Sequence, residues 1–254
     1  MAKEVSYHPA LLVLAGGLLT TGAWLMGPFP LLIFIGLAPI IALTDRAQNT
    51  ATVWETMEWP LIGLSVLFLA ARHFDFSYIV SSLALAISFT LTLVAHVWVR
   101  HTLGPRAGKL TILLFWLALE YLLLKTLPNH AIFLSDALSM VPNWMRWNTH
   151  TGFLGGSLWI LLTNLAVYQA VLSKEPFQWP WIATAVICLV APLAYSYGLK
   201  TTPVTHDDMM NFYATSGGVT DLTYLARGEF VVRSAAWVST LVLLFTFVKH
   251  QTSK

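Results

Sequence analysis

Charge is what this sequence has least of: only 10% of its 254 residues are Asp, Glu, Lys or Arg, against roughly 25% in an average soluble domain. So few charges cannot cover a water-facing surface, and with 57% hydrophobic residues the composition predicts an integral membrane protein. The charges nearly cancel, Lys plus Arg being 14 and Asp plus Glu 12. There is no basic stripe interleaved with aromatics, so a nucleic-acid partner is not expected. Cysteine is almost missing. The one thiol, Cys188, lies inside the apolar run WIATAVICLVAPLAY, which excludes a disulfide framework and makes packing its expected role. Internal repeats and low-complexity linkers are lacking too, so residues 1–254 read as a single transmembrane domain. The N-terminal MAKEVSYHPALLVLAGGLL has no small-residue cleavage site after its apolar run, and it reads as a retained first span.

What the chain does have is apolar runs. A crossing helix needs about 20 mostly apolar residues, and eight stretches approach that length: 9–26, 29–44, 53–71, 78–99, 109–126, 152–172, 180–198 and 231–249. The expected fold is therefore all-α with eight transmembrane helices. The second run carries Pro39 inside it and Pro28 and Pro30 at its start, so it is expected to tilt or kink. With both termini cytoplasmic, that side holds Lys3, Arg46, Arg100, Arg106, Lys109, Lys174, Lys249 and Lys254. The other side holds Arg72, Lys125, Arg146, Lys200, Arg227 and Arg233. The excess favours termini inside. Two longer segments then face the periplasm, 127–151 and 199–230. The first is rich in proline and tryptophan, which suits the membrane interface. In the second, Thr205 and Asp208 have capping-box spacing, and Gly217 could end a short interfacial helix carrying Met209, Met210, Phe212 and Tyr213.

Few polar residues stand where they could do chemistry. Glu120, in LLFWLALEYLLLK, is an ionisable group inside a predicted span, a functional candidate by default; the alternative is a carboxylate that only fixes packing. Glu55 and Glu58 share a helix face but sit near the headgroup region, where solvation or pairing is expected rather than catalysis. His96 is expected to satisfy a local hydrogen bond. The run His206, Asp207, Asp208 lacks defined ligand spacing, so no metal site is expected. His130, Asp136 and His150 share one loop and could converge as a relay, although solvated loop residues are the simpler expectation.

The stretch PNWMRWNTHTGFLGGSLWILLTN resembles a segment of bacterial apolipoprotein N-acyltransferases, in the form found in Bacteroidetes, where a Pro-x-Trp and Thr-Gly run passes through Gly-Gly-Ser-Leu-Trp into a membrane helix ending in Asn. HVWVRHTLGPRAGKLTILLFWLALEYL is similar to the family's loop and fifth helix, with Trp116 four residues before Glu120. LTYLARGEFVVRSAAWVSTLVLL is similar to its re-entry sequence, with Tyr224, Gly228, Glu229 and Arg233. The resemblance implies eight spans, cytoplasmic termini and the bacterial inner membrane. It also exposes a gap. The family carries a nitrilase-like domain with a catalytic Glu, Lys and Cys between its last two helices, whereas here that interval is residues 199–230 and holds no cysteine, far short of the roughly 50–250 residues of a domain. The loop after Glu120 also lacks the Trp-Pro-Trp element common in Bacteroidetes members.

The expectation is a catalytically inactive relative, a pseudoenzyme with no catalytic residue and no cofactor beyond a bound phospholipid. It would bind membrane lipid or an acylated lipoprotein, or serve as an accessory subunit of a larger inner-membrane assembly. Its expected site is a headgroup-level cleft floored by Glu120 and rimmed by Trp144, Arg146 and Trp147, with Trp116, Thr151, Gly155, Gly156 and Arg233 nearby. An Arg beside aromatic rings suits a phosphate headgroup, although the same residues could serve only as interface anchors. An alternative is the membrane half of a split N-acyltransferase that docks a separate nitrilase-like subunit. A third possibility is an unrelated acyl transfer run by His130, His150, Asp136 and Glu120.

Overall fold

The computed structural model describes residues 8–26, 30–44, 50–104, 108–127, 131–173, 178–214 and 223–252, with the backbone alone at 50–56, 210, 212–214 and 223–230. Lys3, Pro28, Arg46, Arg106, His130, Lys174, Gly217 and Lys254 lie outside these residues, as do the side chains of Glu55, Met210, Phe212, Tyr213, Tyr224, Arg227 and Glu229. Every regular element among the described residues is helical. In chain order these are α1 (Pro9–Leu25), α2 (Ile33–Gly36), α3 (Ala38–Thr44), α4 (Thr50–Ala71), α5 (Ile79–Leu103), α6 (Thr111–Thr126), α7 (Asn148–Thr151), α8 (Gly155–Val167, prolonged by a π turn over Tyr168–Leu172), α9 (Trp179–Gly198), α10 (His206–Ala214) and α11 (Thr223–Thr252).

Four helices are long and apolar enough to cross a membrane: Phe76–Leu103, Gly155–Leu172, Trp179–Gly198 and Val231–Thr252. Apolar helices also cover Pro9–Leu25, Pro30–Thr44 and Met57–Ala71 but are shorter, and α6 has 16 residues. A 17-residue helix such as α1 spans about 25 Å at 1.5 Å per residue, less than the roughly 30 Å hydrocarbon core. All eight apolar runs of the sequence therefore contain helix, and four of them are full-length crossing candidates. Among these four, the window of α8 is the most buried, at 72%, whereas that of α9 is 6% buried and turns outward.

The second run is broken, and the break is repaired from a distance. Pro39 has no amide hydrogen and its ring crowds the preceding turn, so the helix parts between Gly36 and Ala38. Asn164 of α8 fills the gap. Its Oδ1 accepts from the amides of Leu37 and Ala38 at 2.8 and 2.9 Å, and its Nδ2 donates to the carbonyl of Ile33 at 2.8 Å. A side-chain amide thus stands in for the interrupted backbone ladder. Because Asn164 is fully buried, no water is at hand to do the same work. Trp159, one turn before it, packs on Phe34 with ring centroids 4.5 Å apart and donates its indole N–H to the carbonyl of Cys188 on α9.

Candidate functional site

Glu120 does not floor an open cleft. It is fully buried, and its Oε1 accepts from the Leu134 amide at 3.0 Å and from the Trp116 indole at 3.2 Å. The carboxyl group therefore ties α6 to the 3-10 turn at Leu134–Leu138. Glu120 Oε2 is buried with no hydrogen-bond partner among the described residues. Ser157 contacts Ser135, whose hydroxyl donates to the Phe153 carbonyl at 2.8 Å. A continuous set of buried polar groups thus joins α6, the loop and α8.

The aromatic segment around Trp144 and Trp147 is a clamp on the end of α9 and the chain that follows it. Ser196 donates to the Trp144 carbonyl at 2.7 Å and accepts from the Trp147 amide at 3.3 Å. Arg146 donates to the Leu199 carbonyl and to Asn143 Oδ1, each at 2.9 Å. Asn148, fully buried, pairs with both backbone groups of Val204 at 2.8 Å. Gly152 closes α7 at φ +81°, a left-handed value that suits glycine. At Gly156 an added Cβ would overlap Met145 and lie 2.8 Å from Ser135 Oγ, so α8 passes this loop at glycine distance. A Cβ at Gly155 would likewise overlap Thr151. Trp147 Nε1 and Thr151 Oγ1 are buried with no hydrogen-bond partner among the described residues.

The remaining candidates scatter. Arg233 Nε lies 3.4 Å from the Tyr121 hydroxyl on an exposed face. His96 bonds Thr111 at 2.7 Å, the local role expected of it. The His150 ring lies 6.0 Å from that of Tyr195. No cluster of His, Cys, Asp or Glu among the described residues has metal-site geometry. Asp136 is not a solvated loop residue. Its Oδ2 accepts from the Phe133 amide at 2.8 Å, and its Oδ1 meets His206 Nδ1 at 2.7 Å.

That contact opens onto a cleft of about 380 Å³ lined by Trp24, Ala71, Arg72, Ala131, Ile132, Asp136, His206 and Asp207. The lining comes from segments at or just beyond the C-terminal ends of α1, α4, α6 and α9, so the cleft sits at one end of the helices. Such a volume lies within the range of ligand pockets. Its chemistry is mixed: guanidinium, imidazole and two carboxylates beside an indole and aliphatic walls.

Arg72 is placed there by an unusual turn. His73 and Phe74 both have positive φ, 53° and 56°, which costs a non-glycine residue energy and is concentrated at functional sites. The Phe74 amide reaches back to the Leu69 carbonyl at 2.8 Å, closing α4 in the manner usually given to glycine. His206 is placed by its helix start: Asp208 accepts from the Thr205 amide and hydroxyl, each at 2.8 Å, and the Asp208 amide donates back to Thr205. This is the capping box that the spacing predicts. Burial works against a charged His206, but the Asp136 hydrogen bond and the Asp136 and Asp207 charges prevail over it, and the imidazole pKa is raised above its ordinary value.

None of the expected lipid-contacting residues lines this cleft. The sequence signals that could have pointed to it are Arg72 at a span end and Trp24 at another. No family model, curated protein or solved structure matches the chain.

Proposed function

We propose that this protein is a relative of the membrane part of apolipoprotein N-acyltransferases that does not carry out their N-acyl transfer, with eight spans, cytoplasmic termini and a bacterial inner-membrane location. In this reading it holds a phospholipid or an acylated lipoprotein in the cleft at its periplasmic end. The cleft is the observation that carries the reading. It joins charged groups of both signs to an indole and to Ala71, Ala131 and Ile132, the combination that suits a molecule with a polar head and an apolar body at a membrane surface. The family's own chemistry has no counterpart, because residues 199–230 contain no cysteine.

Complementation tests it. Expressed alone in cells depleted of the full-length acyltransferase, this chain is expected to leave growth unrestored and lipoproteins without their amide-linked chain. Growth with mature triacylated lipoproteins would overturn the reading that N-acyl transfer is absent.

A further inference from the structure

His206 and Asp136 form an imidazole–carboxylate pair in the lining of the cleft. His206 and Asp136 are 70 positions apart in sequence, yet Nδ1 and Oδ1 meet at 2.7 Å, with the side chains 30% and 17% exposed. Two aromatic rings fix the plane of the imidazole: Phe133 lies 5.4 Å and Phe153 5.6 Å from it, centroid to centroid. Asp136 is itself held by the Phe133 amide. With Nδ1–H given to the carboxylate, the other ring nitrogen carries the lone pair. His206 lines the cleft, and Nε2 has no hydrogen-bond partner among the described residues. Trp24, in the same wall, has an indole N–H with no acceptor among the described residues. The Arg72 guanidinium also borders the cleft.

We propose that His206, positioned by Asp136, activates water in the cleft and hydrolyses a carboxylic ester of a lipid bound there. Nε2 takes a proton from water as the water oxygen bonds to the ester carbonyl carbon, and the carbonyl π pair moves onto its oxygen. When that pair returns, the bond to the alcohol oxygen breaks, and the alcohol leaves with the proton from Nε2. Ester and water give acid and alcohol, and His206 ends neutral. Asp136 accepts from Nδ1–H throughout and stabilises the transient imidazolium. The Arg72 guanidinium bordering the cleft supplies the positive charge suited to a developing oxyanion.

This rests on the cleft holding a lipid, so binding and turnover are read separately. The probe is dihexanoyl phosphatidylcholine added to the purified full chain in detergent. Bound lipid is followed by equilibrium dialysis and released hexanoate by mass spectrometry. The wild type is expected to bind and to release hexanoate, with a rate that rises with pH as His206 loses its proton, at a midpoint above the ordinary histidine value. His206→Gln should keep binding and lose about 100-fold or more in rate. Asp136→Asn should slow release and move the pH midpoint down, a displacement that a purely structural role would not cause. His150→Ala should match the wild type. Binding without release above that of His206→Gln overturns the inference and leaves the function reading standing; absence of binding overturns both.

Discussion

Asn164→Leu is expected to be the most damaging single substitution in the chain. Leucine matches the volume but leaves the amides of Leu37 and Ala38 and the carbonyl of Ile33 without the partners they now have at 2.8 to 2.9 Å. A buried polar group left unsatisfied costs about 1–3 kcal/mol. Part of this is recovered because an unfolded membrane chain also finds partners, so the net loss should be about 3 kcal/mol. For a chain of this length that corresponds to a fall of roughly 10 °C in the unfolding midpoint, read by thermal scanning in detergent. Asn164→Asp should also destabilise, since it keeps the acceptor and loses the donor. An unchanged midpoint for the leucine variant would mean that the break at Leu37 is satisfied in some other way.

Asn148→Ala should have the next largest effect, confined to one end of the molecule. It removes the pair of 2.8 Å bonds to Val204 and leaves two backbone groups buried beneath α7. Arg146 on Leu199 and Ser196 on Trp144 would still hold the end of α9, but the chain leading into His206 would lose its anchor. The expectation is a loss of about 2 kcal/mol together with faster amide exchange over residues 199–206. The midpoint of Asn148→Ala should fall less than that of Asn164→Leu. Exchange should be unchanged at the broken helix, where Asn164 stays in place.

Much of this architecture can be read without coordinates, and the reason is local. Apolar runs define where helix forms because a backbone in hydrocarbon must satisfy itself. Pro39 announces its break, and Thr205 with Asp208 announce the start of α10 within four residues of chain. Helix length is less legible: eight crossings are expected from the runs, and four helices among the described residues have full crossing length. What a single chain does not reveal is which polar groups meet across long separations. Asp136 with His206, Asn148 with Val204 and Asn164 with Leu37 are set by helix packing, and no spacing rule connects them.

The aromatic stretch shows the difference plainly. Its tryptophans and Arg146 are residue types that suit a headgroup, yet the polar atoms of this loop are largely spent on Ser196, Leu199 and Val204. Glu120, a carboxylate in a predicted span that reads either as functional or as fixing packing, is a buried joint between α6 and the loop. The cleft itself is lined by residues such as Arg72 and Trp24, each unremarkable in its own segment.

Native mass spectrometry of the detergent-purified chain tests the central claim most directly. The wild type is expected to carry the added mass of one phospholipid or one acylated lipoprotein. Asp207→Arg, which reverses a charge on the exposed wall, and Ala71→Trp, which fills the space beside it, should both lose that mass while keeping the wild-type unfolding midpoint. A wild-type chain without bound lipid or lipoprotein, or equal occupancy in both variants, would contradict the account.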